Sequence, residues 1–271
     1  MTLAPLLAFV LAACGGGGTT EAAREQDATP SPTARDVREY CGYVAAIETA
    51  QPSVDFAALT PEQRTEEAKR FARETLRPLT ERILATAPPE VRDEHQILSR
   101  AVGEVETTGD FEAVLERPEV KQANASAHAY DRDHCEWKRV DVSAKDYTFE
   151  GVSPNLEVGV VTFEFTNSGT EHHEMVIFRR NDGTTESFDE ILALPEGQTT
   201  GKAAFFTATD AQPGQEGAYT LANLTPGHYA IICFLPVGST PEAERATAAG
   251  GPPIAGEPHW RRGMKTEFTV Q

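Results

Sequence analysis

The stretch Tyr229-Ala230-Ile231-Ile232-Cys233-Phe234 decides how the second half of this chain folds. Alternation along a β-strand puts Tyr229, Ile231 and Cys233 on one face, so the thiol is expected to point into a core. A second strand pattern follows at Met264-Lys265-Thr266-Glu267-Phe268-Thr269-Val270, where Phe268 and Val270 alternate with Lys265, Glu267 and Thr269. Between the two lies Pro258-His259-Trp260-Arg261-Arg262-Gly263, in which Gly263 permits a tight turn. Upstream, Val161, Phe163 and Phe165 alternate with Thr162, Glu164 and Thr166, the mark of a half-buried strand. Asn167-Ser168-Gly169 reads as a turn, His173 to Arg179 as the next strand, Glu186 to Leu194 as a short helix, and Thr225-Pro226-Gly227 as another turn. Short strands separated by turns predict a β-sandwich over residues 138–271.

Residues 35–137 carry a different period. Tyr40, Tyr43, Val44 and Ile47 recur at helical spacing, and Thr60-Pro61-Glu62-Gln63 has the N-cap and first-turn proline of a helix start. Phe71, Leu76, Leu79 and Ile83 would line the buried face of that helix, with Pro78 kinking or splitting it. Pro88-Pro89 ends it. Val91, Leu98, Val102 and Val105 mark another helix, Thr108-Gly109-Asp110 a turn, and Pro118 to Cys135 a last helix. His95, His128 and His134 fall on polar helix faces and read as surface residues. The predicted fold class is therefore α+β multidomain: a helical bundle at 35–137 followed by a Greek-key β-sandwich at 138–271.

The N-terminus points to a compartment. Residues 1–13 form a short apolar run, too short to span a bilayer, ending in Leu11-Ala12-Ala13-Cys14. This resembles a bacterial lipobox, a signal peptide cut before a cysteine that then carries lipid, although no Lys or Arg precedes Cys14. Residues 14–34, with Gly15 to Gly18 and Pro30-Ser31-Pro32, read as a flexible linker with a reach of roughly 25 Å. The expected location is extracytoplasmic, held to the cell membrane through the lipid. Disulfides persist there, so Cys41 and Cys135 are expected to pair and to staple the first and last helices. Of the four cysteines, Cys233 is then left over, as a reactive thiol, an intermolecular one or a metal ligand.

A thiolate, two imidazoles and a weak axial thioether are the donors of a type 1 copper site. Cys233, His259 and Met264 supply three types from the C-terminal end, and His173 is placed to supply the second imidazole. The residues leave alternatives: His172 could replace His173, Cys233 could be an inert buried thiol, and Met264 could be plain core. The stretches Asn167 to Glu174, Gly227 to Cys233 and Pro258 to Met264 resemble the cupredoxin superfamily, the plastocyanin-like blue copper proteins, over roughly residues 138–271. The resemblance implies His173, Cys233, His259 and Met264 as ligands of one copper, and electron transfer or copper handling with a redox protein partner. The helical part more loosely resembles the N-terminal part of some actinobacterial lipoproteins. One departure stands out. Twenty-five residues, Phe234 to Pro258, separate Cys233 from His259, where plastocyanins have a few. Lengthening a closed loop about sixfold costs only about 1.5 kcal/mol, against about 10 kcal/mol or more for binding a structural metal.

Other classes are disfavoured. A formal net charge of −18 leaves no basic stripe for nucleic acid. A multicopper oxidase needs further histidines, and no His-x-His occurs. An iron-uptake lipoprotein with a helical peptidase-like part is a possible relative, but the helices lack His-x-x-Glu. The chain is not expected to be an enzyme. The remaining alternative is a metal-free cupredoxin-like lipoprotein used for binding or scaffolding, in which the four side chains fail to converge.

Overall fold

A computed structural model describes residues 34–52, 54, 59–195, 198–199 and 201–271. Cys14, the leader and most of the linker lie outside them. Helices come first: α1 (Ala34–Glu48), α2 (Pro61–Phe71), a π turn at Ala72–Leu76, α3 (Arg77–Thr86), α4 (Arg92–Thr108), α5 (Phe111–Leu115) and α6 (Pro118–His134). Thr60 and Gln63 form a reciprocal capping box at the start of α2, with Pro61 in the first turn. Pro78 falls in the first turn of α3, where the stretch is divided from α2 as expected. The register shifts through the π turn just ahead of it, so the chain stays helical. α1 packs on α3, α3 on α4 and α4 on α6.

Two apolar clusters fill these helices. Tyr40, Val44, Ile83 and Val91 surround the Cys41–Cys135 disulfide, whose Cα atoms are 5.6 Å apart. Ala72, Leu76, Ala101, Val105, Val114 and Val120 make the other. His95 and His128 depart from the sequence expectation: both are buried, and His134 is exposed. Helical periodicity reports one apolar stripe and is blind to a polar side chain that finds its partner on another element.

The strands follow: β1 (Lys138–Lys145), β2 (Thr148–Glu150), β3 (Asn155–Leu156), β4 (Gly159–Asn167) and β5 (His173–Arg180). After α7 (Phe188–Leu192) come β6 (Ala203–Ala211), β7 (Ala218–Leu224) and β8 (Gly227–Ile232). α8 (Pro241–Ala248) and β9 (Lys265–Val270) complete the chain. They form two sheets, ordered β2-β1-β4-β7 and β3-β9-β8-β5-β6. β1 runs parallel to β4 and β3 parallel to β9; the other pairings are antiparallel. Val142, Phe163, Phe165, Met175, Ile177, Tyr229, Ile231, Cys233 and Phe268 share one core cluster, as alternation requires for two facing sheets.

β4 is not half-buried. Thr162 and Glu164, on the face opposite Phe163, are buried too. The cause is α6. The His128 ring stacks on Tyr219 of β7, with centroids 3.3 Å apart and planes 3° apart. Its Nε2 lies 2.9 Å from Glu164 Oε1. The helices thus cover the outer face of the four-stranded sheet and turn its polar alternate positions into an interface. No helix among the described residues is long and apolar enough to cross a membrane.

Candidate metal centre

Three elements deliver the sequence-predicted donors to one end of the sandwich. His173 opens β5, directly after the Asn167–Glu171 turn. Cys233 follows β8, in phase with Tyr229 and Ile231 and fully buried with them. His259 starts a short 3-10 turn, His259–Arg262, whose C-cap Gly263 takes φ 106°, in the left-handed region that favours glycine. Backbone hydrogen bonds lock this turn against the cysteine: Trp260 N donates to Cys233 O at 3.0 Å, and His259 N to Leu235 O at 2.8 Å. Met264 N donates to His259 O, and Cys233 N to Met264 O, each at 3.2 Å. The twenty-five-residue insertion carries α8, and its ends are held together by a Pro236–Pro258 bridge and by Val237 N donating to Glu257 O at 2.9 Å.

The donor atoms of His173, Cys233 and His259 all lie within 4.8 Å of one another. Among the described residues, this is the one such trio of His, Cys, Asp or Glu. Cys233 Sγ is 3.3 Å from His259 Nδ1, and the two Nδ1 atoms are 3.2 Å apart. All three residues are fully buried, as is Met264. His172 is elsewhere. Its Nδ1 meets Glu244 of α8 at 2.7 Å and its Nε2 meets Asp210 of β6 at 2.8 Å, which clamps the insertion to the sheet.

The outer nitrogens of both rings face carboxylates, which the sequence reading did not single out. His173 Nε2 lies 2.7 Å from Asp146 Oδ1, and His259 Nε2 lies 3.0 Å from Glu171 Oε2. Burial works against charge on Asp146, but the Thr170 hydroxyl and amide, His173 and the Glu171 amide outweigh it and hold the carboxyl below its ordinary value. Glu171 is likewise held low, against burial, by Tyr147, the Gly238 amide and His259. Burial, reinforced by His259, lowers the His173 pKa despite Asp146. Burial also pushes the Cys233 thiol up to about 12.

These observations test whether a metal fits. With each Nε2–H donating outward, two Nδ1 lone pairs face each other beside a sulfur. His173 Nδ1, His259 Nδ1 and Cys233 Sγ could together hold a cation, which would favour the thiolate form of Cys233 and offset the effect of burial. The set of two imidazoles and a thiol suits type 1 copper; Met264 is buried, and its backbone is bonded to both Cys233 and His259. The Glu174 amide donates to Cys233 Sγ at 3.5 Å, further orienting the sulfur.

The sequence matches no protein-family model. A search of curated proteins likewise returns no match. Among solved structures, the chain is similar to auracyanin from Roseiflexus castenholzii, at 20% identity over 49% of this chain and 97% of that chain, with a TM-score of 0.30. It is similar to auracyanin A, a "blue" copper protein from Chloroflexus aurantiacus, at 15% identity over 49% of this chain and 98% of that chain, with a TM-score of 0.28. Rusticyanin from Thiobacillus ferrooxidans is similar at 15% identity over 50% of this chain and 79% of that chain, with a TM-score of 0.26.

Proposed function

We propose that this chain is an extracytoplasmic, membrane-tethered cupredoxin that holds one type 1 copper and serves in electron transfer or copper handling. His173, Cys233 and His259 would be its strong ligands and Met264 its weak axial one. The observation that carries this reading is the convergence of a buried thiol with two inward-facing Nδ1 atoms. Bound copper would supply a one-electron couple. Everything else is done by the chain: the sandwich excludes water from the donors, the amide of Glu174 orients the sulfur, and the backbone bonds around His259 fix its ring. A metal-free scaffolding role needs the side chains to miss one another, and three of the four do not. The Cys41–Cys135 disulfide supports an oxidising compartment. The tether rests on Cys14 alone.

Neither imidazole reaches the surface. Exchange with a redox partner would therefore run through covering residues rather than an exposed ring edge. The test is retention through a redox cycle. The protein should keep one copper per chain through dialysis, reduction and reoxidation. Release of copper on reduction favours copper handling over electron transfer, and failure to retain any copper rules out both.

A further inference from the structure

Two carboxylates deserve a role that the ligand set alone does not give them. Both are built into the site. Asp146 lies in the turn between β1 and β2, and accepts from Thr170 N at 2.9 Å, Thr170 Oγ1 at 2.5 Å and Glu171 N at 3.4 Å. Glu171 accepts from Tyr147 Oη at 2.7 Å, Gly238 N at 2.6 Å and Ser239 N at 3.2 Å. Gly169 makes room for the first pair: a Cβ there would fall 2.3 Å from Asp146 Oδ1 and 2.9 Å from His173 Nε2. Each carboxylate is thus fixed before any metal arrives, and each is aimed at one ring nitrogen.

A backbone carbonyl would orient an imidazole as well as a carboxylate does. What the carboxylates add is negative charge. A carboxylate accepting from the outer N–H raises the basicity of the inner nitrogen, and negative charge near a metal favours its more positive oxidation state. Two such partners sit in a buried centre, where screening by salt is weak.

We propose that Asp146 and Glu171 are positioning residues for the metal centre: they fix His173 and His259 as Nε2–H tautomers with both Nδ1 lone pairs inward, and they bias bound copper toward Cu(II). This rests on the copper reading above.

The full chain, Asp146→Asn, Glu171→Gln and Glu171→Asp would be compared for Cu(II) affinity, Cu(I) affinity and reduction potential. Loss of each charge should weaken Cu(II) binding about ten- to hundredfold, with a smaller loss for Cu(I). The potential should rise by about 59 mV for each tenfold difference between the two losses. Glu171→Asp, which keeps the charge, should lie closer to the unmutated protein than Glu171→Gln does. A purely structural role would weaken both oxidation states alike and leave the potential where it was, which overturns the proposal but not the copper site. An unmutated chain that binds no copper overturns both. Long-range ¹H–¹⁵N NMR of the metal-free chain decides the tautomers even if the variants fail to fold. Nε2–H on both rings is expected, and Nδ1–H on either contradicts the proposal.

Discussion

The helical region and the sandwich each bury histidine beside carboxylate, and they use those groups differently. In the helices, Tyr40 Oη donates to Asp131 Oδ1 at 2.7 Å and lies 2.6 Å from His95 Nε2, so α1, α4 and α6 are joined by polar groups that satisfy one another. In the sandwich, the carboxylates engage only the outer nitrogens of His173 and His259, and the inner ones are left facing a sulfur. The first arrangement closes on itself and holds helices together. The second leaves donors converging on a point. A buried histidine is therefore no sign of a metal site by itself; what matters is whether its remaining nitrogen converges with other donors, as those of His173 and His259 do with Cys233.

The largest expected effect comes from cutting the covalent link that only the helical region has. Replacing Cys41 and Cys135 with serine opens a loop of sequence separation 94 and should lower the unfolding free energy by about 4 kcal/mol. Copper uptake should persist. An unchanged denaturation midpoint, or lost uptake, would blur the distinction between the regions.

The next effect is a pH dependence that unpairing the helical cluster should expose. Burial, chiefly, pushes Asp131 from 3.8 up to about 7. Burial pushes His95 from 6.5 down to about 4. The stability tied to Asp131 is complete below its unfolded value and is lost as pH rises through about 7. That tied to His95 is complete above 6.5 and is lost as pH falls through about 4. The two slopes oppose each other, so the intact pair contributes little net dependence. Asp131→Asn should therefore lose stability toward pH 4, and His95→Gln toward pH 7. Denaturant titrations across that range read the slopes directly; parallel profiles in both variants and the unmutated chain would contradict this account.

The smallest expected effect is at Met264. Met264→Leu conserves volume in a filled core and should cost less than about 1.5 kcal/mol. In the axial position proposed for it, the Met264 thioether would be a weak ligand, so copper should still bind, with a shifted absorption spectrum. Complete loss of binding would make Met264 a principal ligand rather than a weak one.

Much of the fold was legible because it is local. Thr60 with Pro61 announced α2, and the phase of Tyr229, Ile231 and Cys233 placed the thiol inward before any geometry was known. What stayed hidden is long-range. Glu164 reads as an exposed alternate until α6 brings His128 over it from 36 residues away. Asp146 and Glu171 meet their histidines across 27 and 88 residues. Nothing in their own neighbourhoods marks them, apart from the place of Glu171 in the turn before the His172-His173 pair. α8 was missed within the long insertion, though Thr240 caps it and Pro241 occupies its first turn, both readable signals.

The central claim is that Cys233, with its two histidines, binds copper through sulfur. It is tested most directly by titrating Cu(II) into the full chain and into Cys233→Ala, followed by visible absorption and electron paramagnetic resonance. The account predicts one equivalent bound with an intense sulfur-to-copper charge-transfer band in the unmutated chain, and no such band in the variant. A chain that takes up no stoichiometric copper, or a band that survives the loss of Cys233, would contradict it.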